Sequence, residues 1–470
     1  MASYESENPQ WTTVLDVDDL AEKEEMSWVW KGSRVLPRAR DPMSEGGLQV
    51  TRALLSLSRG GYGSDAVVLR EFDLLNSRFV TKDAFTLPEA KTRASYRSRD
   101  VLLVGSDFGP DSLTRSGNPR TIREWVRGTD VNDAPVVFEG ELSDVAVSAY
   151  IDDQRVRAGG IYEVRTRALT CNTSKYWVRK VRYEHLLAED DPKRAGAGSP
   201  PEFKEVEVPE DTEIDFVGNL LIITLRSNWE PEPGKRYYQG SIIYVNAHKF
   251  LKYGPKDRIY HELFKPTERG ACENYSVTHN FLILSIMDNA KSKLEFYRLE
   301  KDANHLRLVG ADKHSQIRAI NVRAVDPYQG DEFWFTTSGY TEPSTLWLAD
   351  ASKMDTEDKK MVRKTGSEGY VVRKLKGLPC QFDASNLKVV QKVVSSKDGT
   401  EVPYFMIMKT DTQFNKKNPT LLYGYGGFEV TLGPHYIAAT GLAWLERGGV
   451  YVEANIRGGG EFGPTWHEVS

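Results

Sequence analysis

Six times between residues 34 and 375, a short apolar run is followed by a run in which apolar and polar residues alternate. The pairs are Leu54–Leu57 with Ala66–Asp73, Val101–Val104 with Thr121–Arg127, and Val145–Tyr150 with Tyr162–Arg167. Leu220–Leu225 with Ser241–Val245, Phe281–Ile286 with Leu294–Leu299, and Glu332–Thr336 with Ser344–Leu348 complete the set. A strand that is apolar throughout needs cover on both faces, whereas an alternating strand has one wet face. Each pair therefore predicts an inner and an outer strand of one small sheet. Successive pairs begin roughly 40 to 75 residues apart, near the size of a four-stranded blade. With room for a further unit around Lys175–Leu187, the pattern predicts an all-β propeller of about seven blades. A large sandwich is the competing arrangement, but it does not require this pairing to recur so often. Gly60–Asp65 reads as a glycine-rich turn and Ala188–Pro201 as a surface loop.

The rhythm breaks near Lys374–Asn386, where Gly377–Ser385 is rich in turn residues. Lys388–Val394 and Val402–Lys409 then flank Asp398-Gly399, a two-residue hairpin signal because both residues tolerate positive φ. Next come a strand at Thr420–Tyr423, a helix over Tyr436–Arg447 stopped by Gly448-Gly449, and a strand at Val450–Asn455. Strand, helix, strand predicts an α/β layer with a crossover between parallel strands. The chain thus divides into a leading segment (1–33), a β-propeller (34–375) and a partial α/β domain (376–470). In the leading segment, Asp16–Glu25 predicts a short acidic helix capped by Asp16 or Asp18. Its carboxylates lack the alternation and central glycine of a calcium loop.

Composition narrows the function classes. A net charge of -5 gives no basic footprint for nucleic acid or an anionic membrane. No run of 18 apolar residues is present, and the acidic start, Met1–Glu7, lacks the basic and apolar regions of a secretory signal. A cytoplasmic location is the expectation. Cys171, Cys272 and Cys380 lie far apart without a C-x-x-C pair, so neither a disulfide framework nor a zinc site is expected. Each reads as a small buried residue. No metal or cofactor is implied.

Two glycine-rich loops follow the two strands of the α/β layer. Tyr423–Phe428 keeps the backbone bare beside two tyrosines, and a tyrosine hydroxyl there can donate to a developing oxyanion. Gly458, Gly460 and Gly463 spell G-x-G-x-x-G, but Pro464 and Trp466 match poorly the helix that a dinucleotide site requires. Taken alone, both loops also read as structural turns.

Leu422–Phe428 followed by Ala454–His467 resembles the start of the catalytic domain in the prolyl oligopeptidase family of serine peptidases. Ser396–Thr400 with Val402-Pro403 looks like that family's domain start, and Phe333–Leu348 like its last blade. The resemblance is specific over about 380–467 and architectural over about 34–375. It implies a seven-bladed propeller joined to an α/β-hydrolase domain, and cleavage of short peptides after proline by a Ser-Asp-His triad. It also implies that Tyr425 donates its hydroxyl to the oxyanion, on a loop shaped by Gly424, Gly426 and Gly427.

No G-x-S-x-G nucleophile turn occurs in these 470 residues. Neither His435 nor His467 matches the family's catalytic histidine, and His467 reads as part of a turn with Trp466. The other six histidines read as surface or locally bonded residues. The expectation is a fragment that lacks the nucleophile turn and triad and is inactive alone. Its strands at Leu421–Tyr423 and Val450–Asn455 would expose edges unless a second chain completes the sheet. The alternative is a non-catalytic propeller that serves as an interaction module.

Overall fold

The computed structural model describes all residues except 1–3, 5, 7, 45–48, 60–63, 189–190, 195, 255–256, 301–303, 313–316, 356–371 and 469–470. The turn glycines Gly60–Gly63 and one histidine, His314, lie outside the described residues. The chain packs as two compact units. One comprises Asn8–Thr212 and Ala247–Arg258; the other comprises Met1–Glu7, Glu213–Asn246 and Ile259–Ser470.

The first unit holds three antiparallel sheets in chain order. The first spans five strands between Val29 and Ala90, the second four between Arg93 and Glu139, and the third four between Ala146 and Glu205. The short helix Val17–Glu24 precedes them, capped as expected by the Asp16 carboxylate, which accepts from the Asp18 and Asp19 N–H groups. Its Leu20 packs with Trp28, Leu55 and Phe72 of the first sheet.

The second unit repeats the plan. Its first sheet orders Glu213–Val217, Leu220–Thr224, Ile242–Asn246 and His261–Phe264, with a side hairpin between Trp229 and Tyr237. Two further four-stranded sheets run from Gly270 to Ala311 and from Ala319 to Gly377. Each of the six apolar–alternating pairs read from the sequence is a pair of neighbouring strands in one of these six sheets.

Within each unit, neighbouring sheets pack face to face, so the strands Val101–Gly105 and Phe281–Asp288 are buried on both faces, while Ala146–Asp153 and Glu332–Gly339 alternate. Leu282, Leu284 and Ile286 meet Leu220, Ile222 and Tyr244 on one side. Phe281 and Ile283 meet Ile320, Phe333 and Phe335 on the other. Within the first unit, Leu102 and Val104 face Leu54 and Leu69, while Leu103 faces Val147 and Ile151. Full burial of one such side chain is worth about 1.5–3 kcal/mol. The extra unit expected at Lys175–Leu187 is not a separate sheet: Ser174–Val181 is the third strand of the third sheet, paired along its whole length with Ile161–Ala168. Six sheets of this blade type are formed by the described residues.

After Gly377 the pairing changes. A mixed sheet runs in the order Leu387–Ser395, Glu401–Lys409, Val450–Ala454, Thr420–Tyr423. The last two strands are parallel, as expected. The crossover helix is shorter than Tyr436–Arg447: a turn of α-helix at Ala438–Thr440 widens into π-helix at Gly441–Leu445. The hairpin loop also differs. Ser396 N–H donates to Thr400 O and Gly399 N–H to Ser396 O, which leaves three residues in the loop with only Gly399 at positive φ. Asp398 keeps ordinary φ and turns its carboxylate to the Thr400 N–H instead. Of the two strands expected to lie open, Val450–Ala454 is an inner strand and largely buried, whereas Thr420–Tyr423 lies at an edge, exposed at all four residues; Leu387–Ser395 forms the other edge. Cys171 and Cys380 are exposed rather than buried, because both sit in turns outside the sheets; Cys272 is half-buried.

Candidate active site

Parallel pairing brings the carboxyl ends of Thr420–Tyr423 and Val450–Ala454 to the same end of the mixed sheet, where ligands bind in open α/β layers. The loops that follow lie backbone against backbone. A Cβ on Gly426, which has φ +59°, would stand 2.5 Å from the Arg457 carbonyl oxygen. One on Gly460 would stand 2.5 Å from the Glu429 carbonyl oxygen, and one on Gly424 3.3 Å from that of Ala454. Glu429 N–H donates to Gly458 O at 3.1 Å, and Val430 N–H to Gly427 O at 3.0 Å. Only glycine lets two loops approach this closely.

Tyr425 stands on this block. It is 46% exposed, its ring lies over Gly427, and its hydroxyl has no hydrogen-bond partner among the described residues. The structure thus brings together Gly424, Tyr425, Gly426 and Gly427, with a free phenol at a strand end.

The second loop is braced from beneath by groups that sequence reading did not single out. Glu461 is buried; its Oε1 accepts from Leu432 N–H at 2.8 Å and from Asn455 Nδ2 at 3.2 Å. Burial raises its carboxyl pKa. Glu453, fully buried on the inner strand, accepts from the Tyr340 hydroxyl at 2.6 Å and the Tyr451 hydroxyl at 3.0 Å. Burial first, then the Glu453 charge, pushes the Tyr340 phenol far above its ordinary range, so it stays a donor. His435 Nδ1 lies 3.9 Å from Glu453 and 3.2 Å from Gly433 O. His467 lies in the short helix Pro464–Glu468 rather than in the expected turn: its Nδ1 is 2.8 Å from Gly458 O, beside Trp466, whose Nε1 donates to Ile456 O. Arg457 reaches back to Asp398 of the hairpin at 2.5 Å.

The G-x-G-x-x-G stretch does not cradle an anion. The N–H groups of Gly458, Gly459 and Gly463 donate to the carbonyls of Trp466, Ile456 and Gly460. The helix that follows, Pro464–Glu468, is five residues long. Among the described residues no group of three or more His, Cys, Asp or Glu could hold a metal ion, and no helix is long and apolar enough to cross a membrane.

Next to the loops, inside the same unit, is a cavity of about 550 Å³. Its walls include Glu213, Arg226, Glu273, Phe428, Glu429 and Gly460. Tyr425 is not part of its lining; the cavity begins three residues further on, at the exposed ring of Phe428. Arg226 donates to Glu429, which ties the glycine loop to the sheet that begins at Glu213. The chain distance between those two residues is what hid the pair from sequence reading.

Comparison with known proteins fits this geometry. No protein-family model matches the chain. It is 32% identical over 473 residues to an uncharacterised peptidase of Sinorhizobium fredii, covering 99% of this chain and 58% of that protein. An uncharacterised peptidase of Rickettsia prowazekii is 26% identical over 478 residues, covering 100% of this chain and 59% of the relative. This chain therefore spans less than two thirds of the length of these relatives. Among solved structures, a post-proline cleaving enzyme from Rickettsia typhi superposes with a TM-score of 0.79 at 24% identity, over 99% of this chain and 62% of that one. Prolyl oligopeptidase B from Galerina marginata superposes with a TM-score of 0.64 at 17% identity, over 96% and 56%.

Proposed function

The homologues and structural neighbours of this chain being peptidases of the prolyl oligopeptidase family, we propose that it is the propeller and leading hydrolase part of a serine-type oligopeptidase. Its substrates are short peptides, cleaved after proline, and the six sheets are blades of the propeller. Residues from 376 onward begin the hydrolase layer. The observation that carries this reading is Tyr425: a free phenol on a glycine block at the carboxyl end of two parallel strands. In acyl transfer, negative charge develops on the carbonyl oxygen under attack. A donor already aimed at that oxygen stabilises the transition state without reorganisation. Tyr425 fills that role, and the glycine block holds its loop rigid while Glu461 and Asn455 fix the loop opposite.

A hydroxyl donor alone attacks nothing. These 470 residues carry no G-x-S-x-G turn, so in this reading they bind peptide and stabilise an oxyanion but do not supply the nucleophile. The open edge at Thr420–Tyr423 supports pairing with a further strand, from a second chain or a longer form of this one.

Two measurements test the proposal. Titration of short proline-containing peptides into the chain should show saturable binding; absence of binding would count against a peptide site. A Gly-Pro chromogenic substrate should not be turned over by these 470 residues. Turnover that disappears in Tyr425→Phe would overturn the proposed division of labour.

A further inference from the structure

The turn directly after Tyr425 holds its residues in a backbone that they disfavour. Val430 N–H donates to Gly427 O at 3.0 Å, which closes a four-residue turn with Phe428 and Glu429 at its centre. Both central residues have positive φ, +53° and +57°. Two positive values mark the type I′ turn, whose central positions are normally glycine, asparagine or aspartate. In a residue that has a Cβ this left-handed backbone costs free energy, because the Cβ crowds the following carbonyl. Such strain persists only where the surroundings impose it.

The turn's own side chains do little to impose it. Phe428 is 87% exposed and Val430 45%, so neither is packed into place. The backbone supplies one outside bond, from Glu429 N–H to Gly458 O. A second tie is the Glu429 carboxylate, which accepts from the Arg226 guanidinium.

Arg226 gives that tie a fixed anchor. It follows the buried strand Leu220–Thr224. Leu225 beside it is buried, donates its N–H to Ser241 O and accepts at its carbonyl from Gly240 N–H. At the other end of the turn, Gly427 lies against the Tyr425 ring: a Cβ there would stand 3.5 Å from the ring atoms Cε1 and Cζ. A shift of the turn therefore moves the surface on which the phenol rests.

We propose that Arg226 is a positioning residue for Tyr425: by holding Glu429 it keeps the strained turn formed, and the turn seats the phenol. The inference rests on the reading of Tyr425 as oxyanion donor and adds to it a residue from a different sheet. A partly exposed ion pair contributes little to global stability. A turn strained close to balance responds to the same small energy locally.

The test uses the 470-residue chain with 3-fluorotyrosine in place of Tyr425, read by 19F NMR, together with amide exchange at Glu429 and Val430. The parent chain should show one 19F line, which saturating Ac-Gly-Gly-Pro-NH2 shifts. Arg226→Gln should split or broaden that line and speed exchange at the two amides about tenfold, while the amides of Leu220–Thr224 keep their protection. Adding Glu429→Gly to Arg226→Gln removes the left-handed cost, so it should restore the single line and its response to the peptide. A residue that acted on the peptide directly would not be rescued in this way. Failure of the rescue overturns the proposal, as do an unchanged line and unchanged amides in Arg226→Gln; either result leaves the peptide reading standing. A parent line that the peptide does not move overturns the peptide reading of Tyr425 and this inference with it. Should Arg226→Gln misfold by circular dichroism, the parent chain in about 1 M NaCl decides: screening of the pair should split the line and speed the same amides, and no change overturns the proposal.

Discussion

The Glu453 carboxylate has no access to solvent and keeps its place through two phenols. Tyr340→Phe removes one donor and leaves a buried oxygen unpaired, which should cost about 1–3 kcal/mol in urea unfolding. Glu273 makes a different prediction. Its folded pKa, about 7, lies above the ordinary value of 4.5. Between those two values the folded chain holds more protons than the unfolded chain, so stability falls as pH rises through that window. Glu461, raised by burial, acts in the same direction. The urea midpoint should therefore drop between about pH 5 and about pH 7.5, and Glu273→Gln should flatten part of that slope. Tyr425 and its glycines were legible in the sequence because a short motif carries them. Glu273, Glu453 and Glu461 were not. A glutamate within a strand says nothing of a bulge such as the one between Cys272 and Asn274, and a buried carboxylate is recognisable only through partners such as Tyr340, which are remote in sequence.

At the scale of elements, the strand Phe281–Asp288 and the strand Thr420–Tyr423 are opposites. The first is covered on both faces by neighbouring sheets; the second lies at an edge with all four residues exposed. Leu284→Ala should cost about 2–5 kcal/mol, because tightly packed neighbours cannot collapse into the space. Leu422→Lys, at a residue 69% exposed, should change stability by less than about 0.5 kcal/mol. Denaturant melts of the two variants check both expectations. The period of the sequence revealed one strand pair in each of the six sheets; burial on both faces forces the continuous run at Val101–Gly105, Leu220–Thr224 and Phe281–Asp288, whereas Ala146–Asp153 and Glu332–Gly339 are buried only at alternate residues along most of their length. It did not reveal the short outer strands, such as Lys204–Glu205, which carry no apolar pattern. Nor did it assign Ser174–Val181 correctly, because a third strand alternates much as a second one does. At the Asp398-Gly399 turn, the residue types were read correctly but not the loop length. Only the backbone bonds of Ser396 and Gly399 decide that.

Across the molecule, exposed apolar side chains gather around the mixed sheet and its loops. Phe414, Leu421, Leu422, Tyr423, Phe428 and Leu442 are all more than 40% exposed. Contiguous exposed apolar surface promotes association, and a net charge of -5 over 470 residues opposes it only weakly. Sedimentation velocity should therefore show concentration-dependent self-association, which Leu422→Lys reduces; a monomer at every concentration would refute this. Long-range pairing was the least legible level. Arg226 and Glu429 are 203 positions apart, and no local pattern announces that they meet. The meeting of the two glycine loops was legible only in outline, through the parallel strands that carry them. Their contact also limits how this region can drift over generations. Any missense change at Gly426 or Gly460 installs a Cβ where a carbonyl oxygen already sits 2.5 Å away, so even alanine is not a conservative neighbour there. A saturation scan read by folding yield should find both positions nearly silent to substitution, while Gly399, with open space around its Cβ position, admits asparagine. Variation in such a lineage would accumulate on the sheets' wet faces and leave this backbone seam fixed.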